Sequence, residues 1–166
     1  MITKQQYEQS LLHEVKVIKH LATKILPGTL DYRPTEKQRS ILELMQYLSH
    51  IGSTLLELII TENREVFTTS SDYAAKTTSE NFAERMDAQA KKVQELLGSM
   101  NDADITKEFD IWGSGHAQPK GVLLVDNVLK NMAAYRMQFF LYIKASGRHD
   151  IGTAEAWRGE DTAPQE

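Results

Sequence analysis

The sequence predicts an all-α protein built as a four-helix bundle. Four segments repeat apolar residues at spacings of three and four, the pattern of a helix that buries one face. No segment shows the two-residue alternation of a strand, so the four apolar stripes have only one another to pack against. Three of the segments also begin with the spacing of a capping box. These pairs are Thr3 and Gln6, Thr35 and Gln38, and Thr77 and Glu80.

Each helix has an expected start and end. In chain order, the helices are expected from Thr3 to the Pro27-Gly28 pair, from about Thr35 to Thr61, from about Ser79 to Leu97, and from about Gly121 to Ser146. Gly52 is expected to bend the second helix. Gly98 and Gly147 are expected to end the third and fourth, because glycine tolerates the left-handed conformation that commonly closes a helix.

The remaining segments read as connections and a tail. Residues 63–76 are predicted to form a loop with Tyr73 as an anchor. The stretch EFDIWGSGHAQPKG contains glycine and proline, which predicts a turn or short irregular hairpin before the last helix. The bundle is therefore assigned to residues 1–150 and a polar tail to 151–166, in which only Ile151 and Trp157 are large and apolar. The last few residues are expected to be disordered.

Bulk composition excludes several kinds of protein. The 166 residues carry a formal net charge of −4, which argues against nucleic acid as the main partner because phosphate binding needs a concentrated basic face. The chain contains no cysteine, so disulfides, thiolate metal ligands and a cysteine nucleophile are excluded. No apolar run approaches the roughly 20 residues of a membrane span, and the polar N-terminus does not resemble a signal peptide. We expect a cytoplasmic protein that binds no membrane.

The last predicted helix carries polar side chains on the stripe that should face inward. Asn131, Tyr135, Gln138 and Tyr142 follow one another at spacings of four, three and four, which places them on one helix face. On the second helix, Tyr47 lies at the edge of the apolar stripe and His50 lies further toward the polar side. Buried amides and phenols need partners. The pattern therefore indicates either a hydrogen-bond network in the core or the lining of a small-molecule pocket.

Two stretches carry a family resemblance. ILELMQYL, preceded by YRPT, and the later NMAAYRMQFFLYIKASG resemble the DinB/YfiT-like four-helix-bundle family, in which the second helix reads ELLxHL and the last reads HxxxHRGQxxxYLRxxG. The resemblance implies an up-down-down-up bundle and a homodimer. In metal-bearing members, one histidine of the second helix and two of the last hold a divalent ion. Some members act as thiol-dependent transferases or isomerases.

The resemblance also implies a degenerate metal site in this chain. Tyr47 stands at the first histidine position, and Asn131 and Tyr135 stand at the other two. Phenol and amide groups are poor ligands for Zn²⁺ or Ni²⁺, so no metal cofactor is expected. The alternative is that His50 restores a zinc or nickel site through a three-residue shift of register. Other motif positions agree with the family, namely Arg136, Gln138, Tyr142 and Gly147, whereas Met137 replaces its glycine.

The functional hypotheses differ in what these residues do. The first is a metal-free, non-catalytic module that binds a small molecule or a partner through Tyr47, Asn131, Tyr135 and Gln138. The second is a metal-dependent thiol transferase or isomerase that uses His50. A third is a metal-free enzyme in which Tyr135 acts as an acid, which requires Tyr135 to line an open cleft. Arg136 is expected either to form a salt bridge, to another helix or across a dimer, or to anchor an anion.

Overall fold

The computed structural model describes residues 2–162, and its architecture is all-α as predicted. The α-helices are α1 (Lys4–Ala22), α2 (Ile41–Leu48), α3 (Ile51–Thr61), α4 (Val66–Ala74), α5 (Phe82–Ser99), α6 (Lys120–Leu123) and α7 (Lys130–Ala145). A 3₁₀ turn (Asp102–Thr106) and the antiparallel pair β1 (Glu108–Phe109) and β2 (Gln118–Pro119) precede α6. A π-helical segment (Leu124–Leu129) joins α6 to α7, and a π-helical turn (Ala154–Arg158) follows α7. The hairpin predicted before the last helix is therefore confirmed.

Contacts between helices fix their directions. Helix α1 runs antiparallel to α5, because Lys4 Nζ contacts the carbonyl oxygen of Met100, at the end of α5 (2.8 Å), and Lys19 Nζ contacts Asp87 Oδ1, near its start (2.6 Å). Helix α1 runs parallel to the last helix, because Tyr7 Oη contacts the Leu124 carbonyl oxygen (2.8 Å) and Glu14 Oε2, further along α1, contacts Arg136 Nε (2.5 Å). Lys120 contacts the Ile60 carbonyl oxygen, whereas Asn131 contacts Tyr47, so α2 and α3 run against α7. The bundle is therefore up-down-down-up.

The second helix begins later than the sequence indicated. Ser40, not Thr35, caps it: the Ser40 hydroxyl accepts from the Glu43 N–H (3.2 Å), and the Glu43 carboxylate accepts from the Ser40 N–H (2.7 Å). Thr35 and Gln38 pair with each other in an exposed turn. Ser40 is buried, and the N–H groups of Ile41 and Leu42 donate to the carbonyl oxygens of Tyr32 and Leu30, which ties the start of α2 to the preceding chain. Two candidate capping boxes of equal spacing were present, and tertiary packing selected the later one.

The second helix is also interrupted. It divides into α2 and α3 at Ser49 and His50, two residues before the expected bend at Gly52. Gln89 of α5, only 3% exposed, bridges the break: its Nε2 donates to the Leu48 carbonyl oxygen (2.9 Å), and its Oε1 accepts from the Ser53 N–H (3.2 Å). Gly52 makes room for this bridge, because a Cβ there would lie 3.1 Å from Gln89 Oε1.

Other boundaries differ from the sequence expectations. Helix α1 ends at Ala22, five residues before Pro27, and Gly98 lies inside α5. Thr77 does not cap α5, because its buried hydroxyl lies 3.1 Å from the Ser49 hydroxyl. The segment predicted as a loop over 63–76 contains α4, which buries Val66 and Ala74. A two-residue apolar contact on a Ser/Thr-rich background is too weak a pattern to read from sequence.

The last helix contains a π-helical segment that the sequence did not indicate. The Lys130 N–H donates to the Val125 carbonyl oxygen, five residues back instead of four. The buried Tyr7 hydroxyl donates to the Leu124 carbonyl oxygen at 2.8 Å and so binds the start of this segment to α1. Segments of this kind commonly occur at functional sites, and here the segment leads directly into Asn131.

The chain beyond 150 packs on the bundle as far as the structure describes it. Ile151, Ala154 and Ala156 are buried. The Glu155 carboxylate accepts hydrogen bonds from the N–H groups of Gly152 (2.8 Å) and Thr162 (2.7 Å). The disorder expected for the last few residues concerns positions 163–166, which lie outside the described residues. Within residues 2–162, no helix has both the length and the apolar character needed to cross a bilayer.

Replacement of Ser40 tests which residue caps α2. The Ser40→Ala variant loses the hydroxyl that accepts from the Glu43 N–H, so we expect its free energy of unfolding to fall by about 1 kcal/mol. Thr35→Ala is the matched control and should change stability by less than about 0.5 kcal/mol, because Thr35 is exposed and outside the helix. Urea unfolding followed by circular dichroism measures both. A larger loss in Thr35→Ala would contradict the observed helix start.

Candidate functional site

The three positions that the sequence resemblance aligns with metal ligands lie together. Tyr47 of α2 faces Asn131 and Tyr135 of α7, and the Tyr47 and Tyr135 ring centroids are 4.6 Å apart. Asn131 Nδ2 donates to Tyr47 Oη at 3.3 Å. All three side chains are partly buried. The structure therefore brings together three of the four residues that the sequence pattern grouped, and we refer to these three as the aromatic cluster.

A cation that the sequence did not reveal lies over this cluster. The guanidinium carbon of Arg39 is 4.4 Å from the Tyr47 ring centroid and 5.8 Å from that of Tyr135, within the range of cation–π attraction. Within the described part of the chain, Arg39 forms no salt bridge. It lies in the turn before α2, where no periodic pattern marks a residue as part of a site.

The aromatic cluster does not fit a divalent metal ion. Burial raises the pKa of Tyr47, so its phenol stays protonated and neutral at ordinary pH. The Asn131 amide is engaged with that phenol, and Arg39 places a positive charge over both rings. Across residues 2–162, no three His, Asp or Glu side chains are grouped so that they could hold a metal. The donor chemistry and the neighbouring cation both disfavour Zn²⁺ or Ni²⁺ here.

His50 lies beside the aromatic cluster but supplies no second ligand. Its ring is edge-on to Tyr47 with centroids 6.1 Å apart, and its Nδ1 is 3.1 Å from the Thr54 hydroxyl oxygen. Burial lowers the pKa of His50 to about 4, so the imidazole is neutral at pH 7. The register shift that would make His50 a metal ligand brings in no additional donors among the described residues.

An open cleft of about 540 Å³ leads to the aromatic cluster. It lies between α2–α3, α4, the hairpin loop and the π-helical segment, and we call it the aromatic cleft. Its walls include Tyr47, His50, Phe67, Trp112 and Asn131. Trp112 is 59% exposed at its rim. Tyr135 is not part of the lining, which counts against Tyr135 as an acid acting on a molecule bound in this cleft.

The hairpin loop that carries Trp112 is fixed to the rest of the protein. Arg64, between α3 and α4, donates from Nη1 to the Ile111 carbonyl oxygen and from Nη2 to the Asp110 carbonyl oxygen, both at 2.7 Å. These contacts hold the loop next to α4. Trp112 was missed because the sequence marks the loop only by its glycines, and glycines do not show where an aromatic side chain will lie.

Gln138 and Tyr142 belong to a different part of the helix. Gln138 Nε2 donates to Tyr142 Oη at 2.7 Å, and Tyr142 packs edge-on against Tyr32 with ring centroids 6.2 Å apart. Neither residue lines the aromatic cleft. The structure thus separates Gln138 from Tyr47, although the sequence spacing had placed it on the same stripe as Asn131. The pair is a local hydrogen bond within the helix.

Arg136 forms the interhelical salt bridge that was one of its two expected roles. Its Nε donates to Glu14 Oε2 of α1 at 2.5 Å, and Nη1 donates to the Ala156 carbonyl oxygen. Trp157 covers the guanidinium, with its ring centroid 4.6 Å away. The Arg136 and Glu14 side chains are only 4% and 12% exposed. Arg136 therefore supports the packing of α1, α7 and the C-terminal segment.

Removal of one partner of this ion pair should be costly. Arg136→Met leaves the Glu14 carboxylate buried without its partner, so we expect a loss of about 3–5 kcal/mol in the free energy of unfolding. The double variant Arg136→Met/Glu14→Met should recover much of that loss. Lys130→Met breaks an exposed pair with Asp126 and should cost less than about 1 kcal/mol. Equal losses for Arg136→Met and Lys130→Met in chemical denaturation would contradict this assignment.

The neutral state of His50 predicts a pH dependence of stability. The folded pKa is about 4, below the value of about 6.5 in an unfolded chain. Between these values the unfolded chain binds a proton that the folded chain excludes. The His50 contribution to stability is therefore complete above about pH 6.5 and lost as pH falls toward 4. We expect His50→Gln to be less sensitive to acid than the parent in urea unfolding, and His116→Gln, at an exposed position, to behave like the parent.

The fold is similar to that of a solved structure. It superposes on a DinB-like protein, YjoA from Bacillus subtilis, with a TM-score of 0.71 and 18% sequence identity. The alignment covers 89% of this chain and 96% of that one. No protein-family model and no curated protein matches the sequence. The arrangement of the helices is thus a DinB-like fold.

Proposed function

We propose that this protein is a metal-free, non-catalytic module that binds a small organic molecule in the aromatic cleft. The observation that carries the proposal is the opening of this cleft onto Tyr47 and Asn131, two of the positions that match metal ligands in the family it resembles. In this chain those positions carry an aromatic ring and an amide. A concave surface that combines apolar walls with a few convergent polar groups is the usual form of a small-molecule site.

The lining favours a planar and uncharged ligand. Phe67 and Trp112 offer ring faces and edges, and Asn127 and Asn131 offer amide groups, that of Asn131 through the hydrogen-bonding positions that its bond to Tyr47 Oη leaves free. Aromatic rings stack on other planar groups, and an amide can donate to and accept from the polar edge of such a molecule. The charged residues at the rim, Asp126 and Lys130, form a salt bridge with each other, so neither charge is free to select a strongly ionic ligand.

His50 and Tyr47 of the cleft lack the properties of general acids or bases. Burial keeps the pKa of His50 near 4 and raises that of Tyr47, and both groups are therefore far from the values suited to proton transfer at pH 7. A metal-dependent thiol transferase would need side chains that hold a metal ion, because the metal ion is what activates the thiol. The cluster of phenols, amide and guanidinium supports binding better than that chemistry.

A fragment-binding experiment tests the proposal. Benzamide and quinoline serve as planar probes, and saturation-transfer NMR measures their binding to the parent protein. We expect dissociation constants of about 1–10 mM and a roughly tenfold weakening in Asn131→Ala, because the probe loses one hydrogen bond and Tyr47 loses the amide that holds its hydroxyl. Gln138→Ala is the matched control, since it removes an amide from the same helix outside the cleft and should leave binding unchanged.

Two results would overturn the proposal. One is probe binding that is equal in Asn131→Ala and Gln138→Ala. The other is a stoichiometric amount of zinc or nickel in the purified protein that disappears in His50→Ala, which would support the metal-dependent enzyme instead. Elemental analysis of the same samples provides that measurement. The homodimer and the cytoplasmic location remain predictions, and light scattering of the purified protein measures the first.

A further inference from the structure

A second cleft lies on the other side of α3. It encloses about 420 Å³ between α3, α4 and α5, and its wall includes Ser49, Ser53, Glu57, Glu65, Ser70 and Lys92. We call it the hydroxyl cleft. His50 is the wall residue that it shares with the aromatic cleft. The two clefts differ in chemistry, because serine and threonine hydroxyls predominate here and Tyr73 is the one phenol or phenyl ring among the described residues of the wall.

The serine hydroxyls of this wall have already used their protons. Ser53 Oγ donates to the His50 carbonyl oxygen (3.0 Å) and Ser70 Oγ to the Phe67 carbonyl oxygen (3.1 Å), whereas Ser49 Oγ is already engaged with both the Gln46 carbonyl oxygen and the Thr77 hydroxyl. A hydroxyl has one proton and two lone pairs. The Ser53 and Ser70 oxygens can therefore still accept a hydrogen bond but have no proton left to donate. The wall is consequently rich in acceptors.

The charges of the wall also favour a ligand that donates hydrogen bonds and carries a positive charge. Glu57 and Glu65 contribute two carboxylates and Lys92 contributes one ammonium group. Lys92 Nζ lies 2.5 Å from Glu57 Oε2, and no salt bridge to Glu65 is present within the described residues. Among the wall residues one negative charge is therefore left over, and the Arg85 guanidinium lies against Tyr73 of the wall, 3.8 Å from its ring centroid. His50 adds no positive charge, because burial holds its pKa near 4.

We propose that the hydroxyl cleft binds a small molecule that carries a primary amine. A protonated amine has three N–H donors and no acceptor, which complements a wall of serine oxygens and carboxylates. A carboxylate ligand would meet acceptors and an excess of negative charge, and a neutral diol would gain no charge-assisted bond. This site is separate from the aromatic cleft and does not depend on the function proposed for it.

The proposal can be tested with three probes of equal carbon number: 1,4-diaminobutane, 1,4-butanediol and butanedioate. Titration of the ¹⁵N-labelled full chain is followed through the amide resonances of α3 and α4. We expect the diamine to produce saturable shifts and the other two probes to produce none. Ser53→Ala should weaken diamine binding about tenfold, the effect of one lost hydrogen bond to a charged group.

Matched variants separate the site from general effects. Ser99→Ala removes a hydroxyl of α5 that also donates to its own helix but lies outside the cleft, so diamine binding should be unchanged. Glu65→Gln removes the wall carboxylate that has no salt bridge and should weaken binding, whereas Glu95→Gln, on exposed α5 surface, should not. Tyr47→Ala should leave diamine binding intact, which distinguishes this site from the aromatic cleft. Thermal melting confirms that each variant is folded. Tighter binding of butanedioate, equal binding by Ser53→Ala and Ser99→Ala, or no diamine binding would overturn the proposal.

Discussion

The amide of Gln89 is the contact on which the centre of this bundle depends. An uninterrupted helix would pair the Leu48 carbonyl with the Gly52 N–H and the Ser49 carbonyl with the Ser53 N–H. The break removes these bonds, and a buried backbone group without a partner is costly. Gln89 supplies one acceptor and one donor from the neighbouring helix. A single neutral side chain thus satisfies two of the four backbone groups that the break releases inside the core, the Leu48 carbonyl and the Ser53 N–H.

The break has a direct effect on the surface of the protein. Tyr47, just before it, lines the aromatic cleft, and Ser49 and Ser53 line the hydroxyl cleft. His50, at the break itself, contributes to both walls. Two short helices therefore present two chemically different surfaces, one aromatic and amide-bearing, the other rich in hydroxyl oxygens. Between α2 and α7, Tyr47 and Asn131 form a phenol–amide pair under the Arg39 guanidinium.

The sequence predicted those features that depend on helix periodicity and missed those that depend on tertiary contacts. The bundle, the hairpin and the proximity of Tyr47 to Asn131 followed from spacing and family resemblance. Helix α4 and the choice of Ser40 as a cap were missed, because packing decides both. Arg39 and Trp112 were missed for a similar reason: each lies in a connecting segment, where no repeating pattern shows which way a side chain points.

The π-helical segment has a consequence for the phase of the last helix. A π turn contains one more residue than an α turn would hold there, and one residue corresponds to a rotation of about 100° around an α-helix. The side chains of α7 are therefore rotated relative to the positions they would have if the α-helix of α6 continued without interruption. Deletion of one residue between Leu124 and Leu129 would turn Asn131 away from Tyr47 and expose part of the apolar stripe. The alignment of Asn131 and Tyr135 with Tyr47 therefore depends on the extra residue of the π-helical segment, whose start is hydrogen-bonded to Tyr7.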